Sequence, residues 1–502
     1  MTITLRVNHS HTCVDGNLHT DIYKEFKNAL GYKDPQATWT ARSKHWDGMK
    51  TTVCFSRYYC KCPIKKDGVH FPTGLLSKAR EFFSFKNMEV NVIDERNKPT
   101  EKKKWAFTDK IVPYDYQDDT IKKSVKQGRG LIKLATGGGK TLIGSGIIAE
   151  LGCSPFIFYV TSLDLLKQAK NEIERFVTDN GVSMKVGQVG GGKKDIQDIT
   201  VMTVQTAVKS LGAEYVGYGD DDENEWLQVE DTEPSADVAD LIHSCRGMIA
   251  DEVHHWASES CQIISDHSVN CRYKFGLSAT PFRDMGDDLL IDACFGKTIV
   301  DINASFLIKR KILVRPDIYF VNMPKRSFDG SYQTVYKEAI VENDERNAII
   351  GNVAQKLVST GRQVLVLVKH IPHGERCESV IPGSFFLHGS HSSKERENHL
   401  SLMRERKAPV TIATSIFDEG VDVKPLNALI LAGSGKSQTR ALQRVGRVIR
   451  TFEDPSTGYI KNDAVVVDFK DNYRYMNGHS NKRRQIYLTE PEFVIKDIYP
   501  NG

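Results

Sequence analysis

Leu131-Ile-Lys-Leu-Ala-Thr-Gly-Gly-Gly-Lys-Thr141 reads as a buried strand, a glycine loop and the first turn of a helix. Gly137, Gly138 and Gly139 put no Cβ between the backbone and an approaching anion. The N–H groups of such a loop and helix start point at that anion. Thr136 opens the loop, Lys140 is placed to reach the β- and γ-phosphates of a nucleoside triphosphate, and the Thr141 hydroxyl is placed to help hold Mg²⁺. The run departs from the usual phosphate loop at one point, because Leu134 stands where its first glycine would be.

Met248-Ile-Ala-Asp-Glu-Val-His-His255 is an apolar strand that runs into two carboxylates. Asp251, at the strand end, suits Mg²⁺ binding through water. Glu252 suits polarising an attacking water, which is the division of labour phosphoryl transfer requires. A third segment, Ala441-Leu-Gln-Arg-Val-Gly-Arg-Val-Ile-Arg450, lies far along the chain. On a helix, Gln443, Gly446, Arg447 and Arg450 fall at i, i+3, i+4 and i+7, near one face. Arginines in that arrangement are either a solvated face or catalytic fingers. Beside a triphosphate site whose one other cation is Lys140, Arg447 and Arg450 are candidate fingers, each typically worth ~10³ to 10⁵ in rate.

Elements must hold these groups, and the chain has room for them. Its 502 residues give a prior of two or three domains. Hydrophobic residues at 40% and charged residues at 26% are the balance of a globular chain. No stretch reaches the apolar length of a membrane helix. Met1-Thr-Ile-Thr-Leu-Arg-Val reads as a short strand, not a signal-peptide core. The ten cysteines are scattered without a C-x-x-C pair, which points to free thiols in a reducing, cytoplasmic compartment.

Three regions separate. Residues 1–108 form a small α+β accessory domain that ends in a basic stretch around Lys98 and Lys102-Lys-Lys104. Residues 109–298 alternate apolar runs with helical segments, among them Phe156-Ile-Phe-Tyr-Val160, Thr200-Val-Met-Thr-Val204 and Gly247-Met-Ile-Ala250. Residues 299–490 repeat the scheme with Gln363–Val368, Val410–Ala413, Ala428–Leu431 and Ala464–Asp468, before a tail over 491–502. Continuous apolar strands alternating with helices predict parallel sheets covered on both faces, hence two tandem doubly wound α/β lobes. Net charge is +4. Residues of about 213–240 hold no Lys or Arg and gather Asp220-Asp-Asp-Glu223, Glu225, Glu230, Asp231 and Glu233. That insertion reads as a solvated surface segment or, less simply, as a mimic of nucleic acid.

Together these segments resemble the motif set of superfamily 2 helicases of the DExH-box group. Ala135-Thr-Gly-Gly-Gly-Lys-Thr141 is similar to motif I, Asp251-Glu-Val-His254 to motif II and Ser278-Ala-Thr280 to motif III. Thr414 to Asp422 resembles motif V and Gln443-x-x-Gly-Arg-x-x-Arg450 motif VI. Val160 to Gln168 and Val204-Gln-Thr206 resemble the strand-end motifs between I and II. The matches run in family order over roughly residues 113–470. The resemblance implies two RecA-like lobes that share ATP·Mg²⁺ and act on DNA. It further implies adenine recognition by Tyr116 and Gln117, with Tyr114 where the family has an arginine, and approach to the nucleotide by Gly420 and Asp422. His254, Ser278 and Thr280 would couple hydrolysis to the nucleic-acid track. Gln205, Thr206, His388, Gly389 and Thr414 would contact its backbone.

The N-terminal segment Trp39-Thr-Ala-Arg-Ser-Lys-His-Trp-Asp-Gly48, with Phe71-Pro-Thr-Gly-Leu-Leu76, resembles the small domain before the motor in phage helicases that remodel branched DNA. Trp46 itself reads better as a tryptophan packed in a small core beside an Asp-Gly turn. Arg42, Lys44, Lys50, Arg57, Lys61, Lys65 and Lys66 could supply phosphate contacts. The implied activity is ATP-dependent unwinding or branch migration of forked and junction DNA. The same motifs also serve RNA helicases and duplex translocases that do not separate strands. Lys482-Arg-Arg484 reads as a basic tail.

Overall fold

The computed structural model describes all residues except 1, 17, 34–57, 60–61, 66, 100, 214–232, 280–287, 415–422, 434, 436–437, 455 and 500–502. The chain divides into two compact units, Met1–Leu134 with Gly139–Asp301, and Ala135–Gly138 with Ile302–Gly502. The Trp39–Gly48 segment, Arg42, Lys44, Lys50, Arg57, Lys61, Lys66 and most of the acidic insertion lie outside the described residues.

The first unit holds two principal sheets. Near the N-terminus a five-stranded sheet runs in the order Ile64–Lys65, Gly68–Pro72, His11–Asp15, Thr2–Val7, Glu89–Asp94. One face is covered by the helices Thr20–Ala29 and Leu76–Phe85, whose Phe26, Phe82 and Phe83 pack against one another, with Phe26 also meeting Phe71 of the sheet. Phe26 stacks on Phe83 at 5.0 Å and meets Phe71 edge-on at 5.5 Å. Such pairs are each worth about 0.5–1.5 kcal/mol beyond their burial. Arg129 Nη2 donates to His9 O at 2.6 Å and Arg272 Nη1 to Arg96 O at 2.8 Å, tying this sheet to the rest of the unit. The accessory region thus forms one compact unit with the first α/β lobe.

The lobe's eight-stranded sheet runs Lys193–Asp195, Gly187–Gly190, Ile199–Thr203, Phe156–Val160, Gly247–Ala250, Tyr273–Ser278, Arg129–Leu134, Thr298–Ile302. Phe156–Val160, Ile199–Thr203 and Gly247–Ala250 pair in parallel, as do Tyr273–Ser278 and Arg129–Leu134. Fully buried runs such as Phe156–Val160 are what a sheet covered on both sides demands. The helix Lys140–Leu151 follows the glycine loop and is apolar almost all round, so it is buried. A Cβ on Gly146 would lie 2.3 Å from Ile121 Cδ1, so glycine there lets this helix close against Asp115–Gln127.

The second unit is a seven-stranded sheet ordered Ser384–Leu387, Val410–Ala413, Val364–Leu367, Ala428–Leu431, Ala464–Lys470, Pro316–Asn322, Val494–Ile498. Among the described residues its strands pair in parallel throughout. Two expectations change here. Residues 494–498 are an edge strand on Pro316–Asn322, not part of a tail. Lys482-Arg-Arg484 is no basic tail either: it lies in the helix Met476–Leu488, with Arg483 buried and forked onto Asp468 at 2.8–3.2 Å. Arg484 pairs with Asp497 of that edge strand at 2.8 Å. No helix among the described residues is long and apolar enough to cross a membrane.

Candidate nucleotide site and its surroundings

Lys140 opens its helix directly after Gly139, whose φ of +89° is left-handed, as is Gly137 at +87°. A side chain at Gly139 would be strained by its backbone and would also meet Gln117 Nε2 at 2.5 Å. The loop is thus kept bare on its approach side. Asp251 leaves the strand Gly247–Ala250 and is held by its own N–H, which donates to Tyr159 O at 3.0 Å. Glu252 follows in the left-handed region at φ +45°, ψ +56°, as the cap of the short 3₁₀ helix Val253–Ala257. A non-glycine residue there costs on the order of 1–3 kcal/mol and signals a position fixed for use. Its N–H donates to Asp251 Oδ1 at 2.9 Å, which helps hold the turn.

These elements deliver three charges to one place. Lys140 Nζ donates to Glu252 Oε1 and lies 3.5 Å from Asp251 Oδ1. All three side chains are at least four-fifths buried. Burial works against the charge on Lys140, but Asp251 and Glu252 outweigh it and raise its pKa above the ordinary value. Burial raises the Asp251 pKa, Lys140 opposes it and Glu252 adds to it. Two carboxylates face one ammonium, leaving one negative charge in excess. That donor set fits a hard divalent cation such as Mg²⁺, and the bare loop at a helix start fits phosphate.

His254 connects this cluster to the next strand. Its Nδ1 lies 3.4 Å from Ser278 Oγ and 3.5 Å from Glu252 Oε2. Ser278, at the end of Tyr273–Ser278, is fully buried. Thr280, Gly420 and Asp422 lie outside the described residues. Thr141 lies in the first turn of the loop helix, and its carbonyl accepts from Ser145 Oγ at 2.8 Å. Thr136 is half-buried in the loop.

The expected base-reading pair differs from expectation. Tyr116 is only 5% exposed, so it offers no open face to a base. Gln117 is buried too, and its Oε1 accepts from Tyr114 N–H at 2.9 Å. Tyr114 is 56% exposed and stacks on Tyr116 at 5.9 Å and 13°. The sequence showed Tyr114 only as a departure from the family arginine; its exposure beside two buried partners is what marks it.

Other predicted contacts are distributed. Gln205 and Thr206 form the first turn of the helix Val204–Ser210 and are buried, with Thr203 Oγ1 capping Thr206 N at 3.4 Å. In the second unit, His388 and Gly389 follow the strand Ser384–Leu387. Burial, then His391, lowers the His388 pKa. Thr414 follows Val410–Ala413 and is fully buried, with no hydrogen-bond partner for its hydroxyl among the described residues. Gln443 and Arg447 lie on the helix Gln438–Val448, whose Ala441, Val445 and Val448 face the core. Arg450 lies past the end of that helix, in an antiparallel bridge to Leu313, so the shared helical face ends before it.

Comparison with known proteins sets these units in a family. The model described as "Type III restriction enzyme, res subunit" matches residues 110–283, and the helicase conserved C-terminal domain matches residues 346–452. The two matches follow one another in the order of the two α/β lobes. The chain belongs to the superfamily 2 helicases. This helicase is 27% identical over 414 residues to the DNA 3'-5' translocase XPB2 of Sulfurisphaera tokodaii, covering 74% of the chain and 85% of that relative. It is 23% identical over 441 residues to the ATP-dependent DNA helicase uvsW of Enterobacteria phage T4, covering 82% and 80%. Other relatives are longer; the chain spans 52% of a Rad25 helicase of Halobacterium salinarum. Among solved structures, a fragment of an HsdR subunit of a type I restriction enzyme from Vibrio vulnificus shares the fold. Its TM-score is 0.54 at 16% identity, over 78% of this chain and 69% of that one.

Proposed function

We propose that this ATP-dependent helicase works on forked and junction DNA, with the first α/β lobe and its glycine loop gripping the nucleotide and the second lobe supplying arginines to it. The observation that carries the reading is Lys140 held between Asp251 and Glu252 beside a bare glycine loop. Lys140 exchanges its carboxylate partners for phosphate oxygens when ATP enters. Asp251 and Thr141 would hold Mg²⁺, which when bound neutralises charge on the phosphates. Glu252 is fixed by its left-handed backbone to accept a proton from the attacking water. Tyr114, the exposed ring, stacks on the base, while Gln117 braces the loop at Gly139. His254 reports the state of Glu252 to Ser278. Arg447 and Arg450 stabilise the transferring phosphoryl group, with Gln443 beside them, so hydrolysis depends on lobe movement.

DNA as the track is supported by the relatives named as DNA translocases and helicases. Backbone contacts would carry little sequence preference. The test compares ATPase stimulation by a synthetic fork, a four-way junction, single-stranded DNA and RNA at one salt concentration. Strongest stimulation by branched DNA, with ATP-dependent junction migration, is expected. Stimulation by RNA alone refutes the reading.

A further inference from the structure

We propose that Cys13, Asp67 and His70 form a zinc site on the N-terminal sheet, a feature independent of the motor reading. Cys13 and His70 stand directly opposite one another on the antiparallel strands His11–Asp15 and Gly68–Pro72. Directly opposed residues point to the same face. Asp67 sits in the turn just before the second strand. One potential ligand atom from each of the three lies within 4.8 Å of the other two.

The backbone fixes all three positions. Gly16 N–H donates to Asp67 O at 3.3 Å and His70 N–H to Pro63 O at 2.9 Å. Gly68 has φ +139°, and a Cβ there would fall 1.9 Å from Val14 O, so the turn is pressed onto its neighbour strand. Within this frame His70 Nε2 is 2.8 Å from Asp67 Oδ1, and the Cys13 thiol is 3.6 Å from Asp67 O. Ligand atoms around a tetrahedral zinc lie about 3.3–3.6 Å apart. The imidazole and carboxylate need only open slightly, and the thiol needs only to turn from a carbonyl to the metal.

The donor set selects the ion. A thiol and an imidazole favour zinc over magnesium or calcium, which take oxygen ligands. On binding, the thiol proton leaves to solvent. His70 Nε2 then binds through its lone pair, and its ring proton sits on Nδ1. One thiolate and one carboxylate balance the two positive charges. Arg6, opposite Cys13 on the next strand, is already paired with Asp15 at 2.9 Å and leaves the local charge even. Cys13 is buried and His70 half-buried, whereas the Asp67 side chain is 62% exposed. The site therefore opens to solvent on the Asp67 side, where water completes the fourth position. Bound zinc would staple the turn to the sheet.

Cobalt(II) is the probe, added to chelator-stripped full-length protein. One equivalent should give a thiolate-to-cobalt charge-transfer band that Zn²⁺ displaces. Cys13→Ser should abolish the band, and Cys377→Ser, in the other unit, should keep it. Asp67→Asn alters an exposed side chain and leaves folding intact; it should weaken cobalt binding at least about tenfold. Absence of the band in the parent protein overturns the proposal, as does a band unchanged by both Cys13→Ser and Asp67→Asn.

Discussion

Glu252→Gln separates the two tasks of the carboxylate cluster. The substitution keeps size and hydrogen bonding but removes the charge that would take a proton from water. General-base catalysis of this kind contributes typically 10²- to 10⁴-fold, or roughly 3–5.5 kcal/mol of barrier. Stability should change by less than about 1 kcal/mol, because Lys140 retains Asp251 at 3.5 Å and no buried charge is left without a partner. Binding of ATP should not weaken, since Lys140 has one fewer anion to exchange for phosphate. The assay pairs steady-state hydrolysis on forked DNA with equilibrium nucleotide binding. A kcat lowered 10²- to 10⁴-fold with unchanged or tighter ATP binding is expected. Glu252→Gly, which accepts the left-handed backbone without strain, should show the same loss. A turnover within threefold of the parent in the Gln variant refutes the role. So does recovery in the Gly variant, which would trace the effect to the backbone instead of the carboxylate.

Other outcomes follow from the same geometry. Tyr114→Ala should raise the KM for ATP about 2- to 12-fold through loss of ~0.5–1.5 kcal/mol of stacking, with kcat nearly unchanged; an unchanged KM removes Tyr114 from the base site. Arg346 Nε donates to Asp471 Oδ1 at 2.9 Å with both side chains fully buried. Arg346→Met should therefore lower urea stability by about 3–5 kcal/mol, and adding Asp471→Leu should restore most of it. His373 is fully buried, and burial first, then Arg346, pushes its pKa down from 6.5 to about 3. Folded, it stays neutral to about pH 3, whereas the unfolded chain takes up a proton below about 6.5. Stability should therefore fall as pH drops through that window, by up to about 1.4 kcal/mol per pH unit, and His373→Gln should flatten the slope in acid denaturation.

Much of the fold was legible because parallel strands buried on both faces must be continuously apolar. Phe156–Val160, Gly247–Ala250, Val410–Ala413 and Ala428–Leu431 have the bounds that their hydrophobic runs announced. Edge strand Val494–Ile498 was missed because only one side is paired and its Lys496 and Asp497 read as tail. Lys482-Arg-Arg484 misled for a related reason. Charge in sequence reads as exposure, yet Arg483 is neutralised by Asp468, a residue on a strand of the sheet it packs against. At the nucleotide site, residue types announced Lys140, Asp251 and Glu252. The burial of Tyr116 and the exposure of Tyr114 were not readable, since the run Tyr114-Asp-Tyr116 does not show that the helix starts at Asp115, which leaves Tyr114 outside as its cap and turns Tyr116 inward. The pairing of Cys13 with His70 depends on strand register, which two short segments so far apart in sequence do not reveal.

The most direct measurement is ATP turnover with and without a forked duplex, for the parent protein and Lys140→Ala. The account predicts strong stimulation by the fork in the parent and turnover at background in the variant under both conditions. Equal rates with and without DNA in the parent, or fork-stimulated hydrolysis surviving in Lys140→Ala, would contradict it.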